Sequence, residues 1–147
     1  MKDTFENIFI PEAVHEEIMK GKEFGSADVP VIESAINDSW IRISKIRSTD
    51  ADLPAILGAG EKQAIVLAIQ KRREVDWLLM DDEIAAKTAR SMGLSVRPAS
   101  YLPIYWARKG AIKPLGALQM LDDLVQEGYG LNTRDYVVIK EQIENCS

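Results

Sequence analysis

The spacing of apolar positions divides the chain into alternating strands and helices. Apolar and polar residues alternate over Trp40–Ile46, which is typical of a half-buried strand. Residues 75–80 end in the uninterrupted apolar run Trp77–Met80, which predicts a buried, parallel strand. Two shorter apolar segments predict further strands at Ile8–Ile10 and Leu94–Val96.

Apolar residues three or four positions apart, bounded by Pro and Gly, predict helices. The strongest helix is Gly58–Arg73. Weaker patterns predict helices at Pro11–Lys20, Ala27–Asp38, Thr49–Asp52, Tyr101–Lys109 and Pro114–Glu127. Two more are predicted from an Asp82 cap to Met92 and from an Asn132 or Thr133 cap onward. Leu118, Leu121 and Val125 form the buried stripe of helix Pro114–Glu127, and Tyr136, Ile139 and Ile143 form that of the last helix. Strands alternating with helices predict an α/β fold with a small, mainly parallel sheet and a helical C-terminal part, as one domain over residues 1–147.

Composition narrows the class of protein. Of 147 residues, 46% are hydrophobic and 28% are charged, as expected for a globular domain with a core. The sequence shows neither an apolar run of about 20 residues nor a signal peptide, and we expect a cytoplasmic location without membrane association. A single cysteine, Cys146, excludes a disulfide framework. The net charge of −5 argues against a protein whose whole surface attracts nucleic acid. It is compatible with a local rim of basic residues around an acidic site. Clusters such as Arg108, Lys109 and Lys113 are ordinarily solvated helix ends.

One acid, Glu61, lies at the glycine-rich start of the strongest helix. At about 100° per residue it shares a face with Ala64, Ile65 and Ala68. An acid that points inward there needs a partner such as a cation, a metal or free backbone amides. The alternative is a first-turn Glu that only stabilises the helix dipole.

Other acids are placed by similar reasoning. Glu17 flanks the apolar face of its helix, whereas Glu16 points outward. Asp81 follows an apolar strand, and ligands of open parallel sheets bind beyond the carboxyl ends of strands. Asp82 is more simply a helix N-cap, and capping by both aspartates is the alternative.

Three acids at one sheet edge would repel one another unless a divalent cation neutralised them. Mg²⁺ or Mn²⁺ held by carboxylates can activate a water for attack on a phosphodiester. That chemistry needs no Ser, Cys or His nucleophile, which suits a chain whose one histidine, His15, has no spaced metal partner.

Several segments resemble those of the PIN-domain ribonucleases, most closely an uncharacterised PIN-like subfamily related to VapC-type toxins. Residues 9–18 (FIPEAVHEEI) are similar to the family's strand–Pro–helix, whose acid is matched by Glu17. Residues 60–65 (GEKQAI) and 78–82 (LLMDD) are similar to the segments that bear two further acids, matched by Glu61 and Asp81. The segment 107–114 and the Leu-rich helix after it also resemble this subfamily, so the likeness spans nearly the whole chain.

The resemblance implies a three-layer α/β/α, Rossmann-like fold with extra C-terminal helices. It implies a metal-dependent endoribonuclease, of the kind found in toxin–antitoxin pairs, that commonly dimerises. Mg²⁺ or Mn²⁺ would be bound by Glu17, Glu61 and Asp81, with Asp82 as an accessory.

The front of the chain departs from this family pattern. The family begins with a strand that ends in an essential Asp, followed by a helix, whereas ten residues precede Pro11 here. A strand with its crossover helix needs roughly 25 residues. Asp3 matches the end of the family's first helix and takes no catalytic role. We therefore expect a late start codon, a degenerate member, or a second chain that fills the gap.

Two other functions remain open on the sequence. The missing acid and the acidic balance favour a non-catalytic module that binds nucleic acid or protein. A nucleotide-binding domain has less support, because Gly58–Gly60 is only a G-x-G that does not directly follow a buried strand.

Overall fold

The computed structural model describes residues 7–23, 25, 28–46 and 52–146. These residues form a mixed α/β chain, as predicted. The elements in chain order are β1 (Ile8–Pro11), α1 (Glu12–Glu23), α2 (Asp28–Asn37), β2 (Ile41–Ser44), α3 (Ala59–Gln70), β3 (Leu78–Leu79), α4 (Glu83–Ser91), β4 (Val96–Arg97), α5 (Tyr101–Arg108), α6 (Pro114–Gln126) and α7 (Thr133–Glu144). Asp3 and most of the predicted helical segment Thr49–Asp52 lie outside the described residues, and Asp52 itself is not helical.

The strands form small parallel sheets. Strand β1 pairs with β2, with Ile8 opposite Ile41, and β3 pairs with β4, with Leu78 opposite Val96. Within the described part of the chain no strand pairing joins the two sheets. The predicted parallel α/β architecture is therefore confirmed, with its strands divided between two pairs.

The bounds of all four predicted strands need correction. Strand β2 is shorter than the predicted Trp40–Ile46, and β4 begins at Val96, where the predicted strand Leu94–Val96 ends. Strand β3 has two residues rather than six, and Leu79 is 43% exposed. Leu78 and Met80 pack against the core on one face, so Leu79 between them points to the uncovered face. Pro11 is the last residue of β1, and α1 begins one residue later, at Glu12.

The contacts divide the described residues into two compact units, with the boundary after Arg97. In the first unit, α3 contacts α1, α4, β1 and β3. Its residues Ile65–Ala68 are buried in succession. Because successive helical residues are about 100° apart, these four positions cover almost the whole circumference. Helix α3 is therefore the central element of this unit.

The core beside α3 is built mostly from small and aliphatic side chains. Ile65 is fully buried and packs with residues of α4, β4 and the preceding loop, namely Leu57, Ala85, Ala86, Ala89 and Val96. The alanines of α4 allow that helix to lie close to α3. The position of the N-terminal end of α3 is thus fixed by packing along its length.

The second unit consists of α5, α6 and α7. Its core contains Ile104, Ala107, Ala117, Leu121, Ile139 and Ile143. The predicted inward positions Leu121, Ile139 and Ile143 are confirmed. Val125 is 40% exposed, against prediction, because it lies in the last turn of α6, where the partner helices no longer cover it.

A polar contact also joins α6 to α7. The Tyr136 hydroxyl donates a hydrogen bond to Asp122 Oδ1 at 2.5 Å. This bond, together with desolvation and the negative charges of Asp122 and Glu144, raises the pKa of Tyr136 above its usual value of 10.0. Asn132 caps α7, as predicted, by accepting a hydrogen bond from the Asp135 amide. Among the described residues, none of the helices has both the length and the apolar character needed to cross a bilayer.

Candidate functional site

The N-terminal end of α3 holds the first predicted site residue, Glu61. Its Oε2 atom accepts a hydrogen bond from the Gly58 amide at 2.8 Å, which is half of a capping box. Gly58 has no side-chain oxygen to return the bond. One oxygen of the Glu61 carboxylate therefore has a backbone amide at the start of its own helix as its partner, which is one of the partners expected from the sequence. Among the described residues no hydrogen bond occupies its other oxygen, Oε1.

Glu17 of α1 reaches the same helix end. A Cβ atom placed on Gly60 would lie 2.7 Å from Glu17 Oε1 and 3.4 Å from Oε2. The carboxylate thus occupies the space that any larger residue at position 60 would need. Gly60 is buried although it lies in the first turn of α3. The two acids are 44 positions apart in sequence, so only the packing of α1 on α3 brings them together.

A second contact fixes α1 against α3. The Ala13 amide donates a hydrogen bond to Gln63 Oε1 at 2.9 Å. This amide belongs to the first turn of α1, where no intrahelical acceptor is available. Gln63, in the second turn of α3, therefore pairs with an amide of α1 that has no partner within its own helix. This contact fixes α1 against α3 one turn before Glu17.

The aspartates lie after β3, which itself contacts α3. Asp82 accepts a hydrogen bond from the Ala85 amide at 2.8 Å and caps α4, as the sequence suggested. Asp81 is exposed and comes two residues after the end of β3. It therefore follows the carboxyl end of a parallel strand, which is the position that the sequence predicted.

The donor atoms at these positions suit a hard divalent cation. Carboxylate oxygens are what Mg²⁺ and Mn²⁺ prefer, and Mg²⁺ is usually bound by one or two carboxylates together with waters and phosphate oxygens. Among the described residues, no three His, Cys, Asp or Glu side chains come close enough to form a ready-made metal site. The structure brings Glu17 and Glu61 to one helix end, and the three-acid or four-acid metal site stays a prediction.

Sequence reasoning missed the roles of three residues of this site, Gly58, Gly60 and Gln63. Gly60 carried a usable signal, since a glycine in the first turn of a helix often allows close approach of another group. The spacing of Gly58 and Glu61 was also a signal, because an acid three residues after the N-cap is half of a capping box. Gln63 carried none, because its partner is the amide of a residue 50 positions away.

Comparison with known proteins gives one family. The family model described as DUF3368, PIN domain, matches residues 1–145. This range includes the described helices and strands of both compact units. Comparison with curated proteins and with solved structures gives no significant match.

Proposed function

Because the chain belongs to the PIN-domain family DUF3368, which has a nuclease-type fold, we propose that it is a metal-dependent endoribonuclease of the cytoplasm. Its substrate would be RNA, and its biological setting would be that of a toxin with a protein antitoxin. The observation that carries the proposal is the approach of the Glu17 carboxylate to Gly60, next to Glu61. Two acids from distant parts of the chain meet there at one helix end.

The proposed ion would be Mg²⁺ or Mn²⁺. Glu17, Glu61 and Asp81 would hold it, with Asp82 as an accessory. A bound divalent cation supplies an activated water and neutralises the phosphate oxygens as the phosphodiester is cleaved.

The chain's own residues prepare this end of α3 for carboxylates. Gly60 leaves room for the Glu17 side chain, and the helix N-terminus contributes a partial positive charge that reduces repulsion between the two acids. Glu61 accepts the hydrogen bond of the Gly58 amide through Oε2 and keeps Oε1 for a ligand. The capping bond also restricts the rotamer of Glu61, so its second oxygen is held in one direction.

Cleavage of RNA in the presence of Mn²⁺ tests the proposal directly. We expect Glu17→Gln, Glu61→Gln and Asp81→Asn each to lower the cleavage rate at least about 100-fold, the upper end of the loss seen when only the surroundings of a metal ligand are changed, since each variant removes a proposed ligand. Gln at position 61 can still accept the Gly58 hydrogen bond, so the fold should be retained. Glu16→Gln is a matched control, since this exposed acid precedes Glu17 on α1. Full activity in all three variants would contradict the proposal.

A second function is favoured by a specific observation. Glu61 and Asp82 each use one carboxylate oxygen to cap a helix. Among the described residues, no group of three His, Cys, Asp or Glu side chains is placed to hold a metal ion. A PIN domain without catalysis, acting as a nucleic-acid-binding or protein-interaction module, would leave these acids with capping roles only. RNA binding without cleavage at millimolar Mn²⁺ would support this function over the first.

We also propose that the chain self-associates. In the described part of the chain, β1 and β3 each pair on one side only, and exposed sheet edges favour pairing with another chain. Light scattering should give the mass of a dimer or a higher oligomer. A monomer at all accessible concentrations would contradict this.

A further inference from the structure

The second unit has an uneven distribution of charge. From Ile84 to Leu121 the sequence contains six Lys or Arg and no Asp or Glu, although the whole chain has a net charge of −5. Within the second unit, this stretch supplies Arg108, Lys109 and Lys113, and all three are exposed. Among the described residues of that unit, Asp and Glu begin only at Asp122.

Helix α5 combines these cations with aromatic rings. Tyr101, Tyr105, Arg108 and Lys109 fall within about 100° of one another around the helix. The two tyrosine rings have centroids 6.1 Å apart, and Lys109 Nζ lies 5.7 Å from the centroid of the Tyr105 ring. Ala107, on the side of α5 away from Tyr105, is buried in the core of the unit, and so is Ile104, which lies between the two sides. Tyr101 is half-buried against the same core, and Tyr105 is also half-buried.

The cations of this face are available for a ligand. In the described part of the chain, the salt bridges do not involve Arg108, Lys109 or Lys113. Lys113 precedes α6 as its N-cap residue and makes no side-chain capping bond. Three unneutralised positive charges within six residues attract a polyanion.

We propose that this α5 face, defined by Tyr105, Arg108 and Lys109, binds single-stranded RNA, with Lys113 at the start of α6 as a further cation close by in sequence. Phosphates would contact the cations, and a base would stack on the Tyr105 ring. Rings beside cations are the usual combination for single strands, because every base has a face that can stack, whereas the bases of a duplex cannot reach the rings. This surface shares its ligand class with the proposed function and does not use the acids of the first unit.

Binding of a fluorescein-labelled 12-nucleotide oligouridylate, measured by anisotropy in EDTA, tests this proposal separately from cleavage. We expect the Arg108→Gln/Lys109→Gln variant to bind at least about 10-fold more weakly, and its log–log salt slope to become shallower by about 0.7 for each phosphate that the variant no longer neutralises. Arg134→Gln/Lys140→Gln is the matched control, since it removes two exposed charges from α7 of the same unit. That variant should bind as the parent does.

Ring stacking is tested at Tyr105. Tyr105→Leu should weaken binding between about 5-fold and about 150-fold, whereas Tyr105→Phe should preserve it. Any of three results would overturn the proposal. The α5 and α7 double variants would lose oligouridylate affinity equally, Tyr105→Leu would bind as the parent does, or the parent would bind a 12-base-pair RNA duplex as tightly as the single strand. Competition by polyglutamate as effective as that by RNA would also overturn it and indicate an acidic protein partner. Because the measurement excludes metal, loss of cleavage in the acid variants would leave its result unaffected.

Discussion

Replacing Gly60 by alanine should separate the candidate metal site from the stability of the fold. The added Cβ would lie 2.7 Å from Glu17 Oε1, so the carboxylate must retreat by about 1 Å to reach an ordinary contact distance. The atom in the way is the end of a flexible side chain, so the backbone of α3 need not move. The substitution therefore displaces one candidate ligand and leaves the helix in place.

The substitution has two opposing effects on the free energy of unfolding. Alanine in place of glycine stabilises a helix by about 0.5–1 kcal/mol. Moving the Glu17 carboxylate away from the N-terminus of α3 removes about 0.3–1 kcal/mol of charge–dipole interaction. These effects nearly cancel, so the free energy of unfolding should change by less than about 0.7 kcal/mol. The affinity for Mn²⁺ should fall at least about 10-fold, the lower limit for disturbing the surroundings of a metal ligand.

Gly116→Ala is the matched control. Gly116 also lies in the first turn of its helix, α6, and its added Cβ would meet only Ile112 Cβ, at 3.9 Å. This variant should gain the full helix stabilisation of about 0.5–1 kcal/mol and bind Mn²⁺ as the parent does. Urea denaturation and calorimetric titration with Mn²⁺ provide the two measurements. If Gly60→Ala binds Mn²⁺ as tightly as the parent, the contact between Glu17 and Gly60 has no part in metal binding and the reasoning is refuted.

Three further predictions concern stability. Asp82→Ala should lower the free energy of unfolding by about 1 kcal/mol through loss of the α4 cap, whereas Asp82→Asn should largely retain it; equal losses in urea denaturation would contradict the capping role. The raised pKa of Tyr136 means that its neutral form is favoured in the folded state, so its contribution to stability is complete below about pH 10 and is lost as the pH rises through the folded pKa. As the pH is raised above 10, the melting temperature of Tyr136→Phe should therefore fall less than that of the parent. Identical dependence of the two melting temperatures on pH would refute this. Leu121→Ala, at a fully buried position, should cost about 2–5 kcal/mol, whereas Leu115→Ala, at a position 79% exposed, should stay within about 0.5 kcal/mol; similar losses in denaturant unfolding would contradict the assigned core.

The sequence predicted those parts of the fold that depend on neighbouring residues. The caps at Asp82 and Asn132 were predictable because a cap bonds an amide three residues away. Helix ends were placed to within a few residues because glycine and proline act locally. The parallel α/β class followed from the order of elements alone.

Features that depend on distant packing were not predictable in this way. The exposure of Leu79 and Val125 reflects which neighbours happen to cover them, and their apolar character gave the opposite expectation. The approach of Glu17 to Gly60 depends on how α1 lies across α3. The sequence identified Glu17 and Glu61 as candidates, but only the tertiary structure shows that they reach the same helix end.

The central position of α3 has a consequence for how the first unit exchanges with solvent. A two-stranded sheet is marginally stable on its own, and here one helix contacts a strand of each pair. Opening of either pair therefore requires little more than local fluctuation, whereas undocking of α3 releases both pairs together. Amide protons of Ile65–Ala68 should consequently be the slowest to exchange in this unit, at the rate of its global unfolding, and those of the strands should exchange through smaller openings.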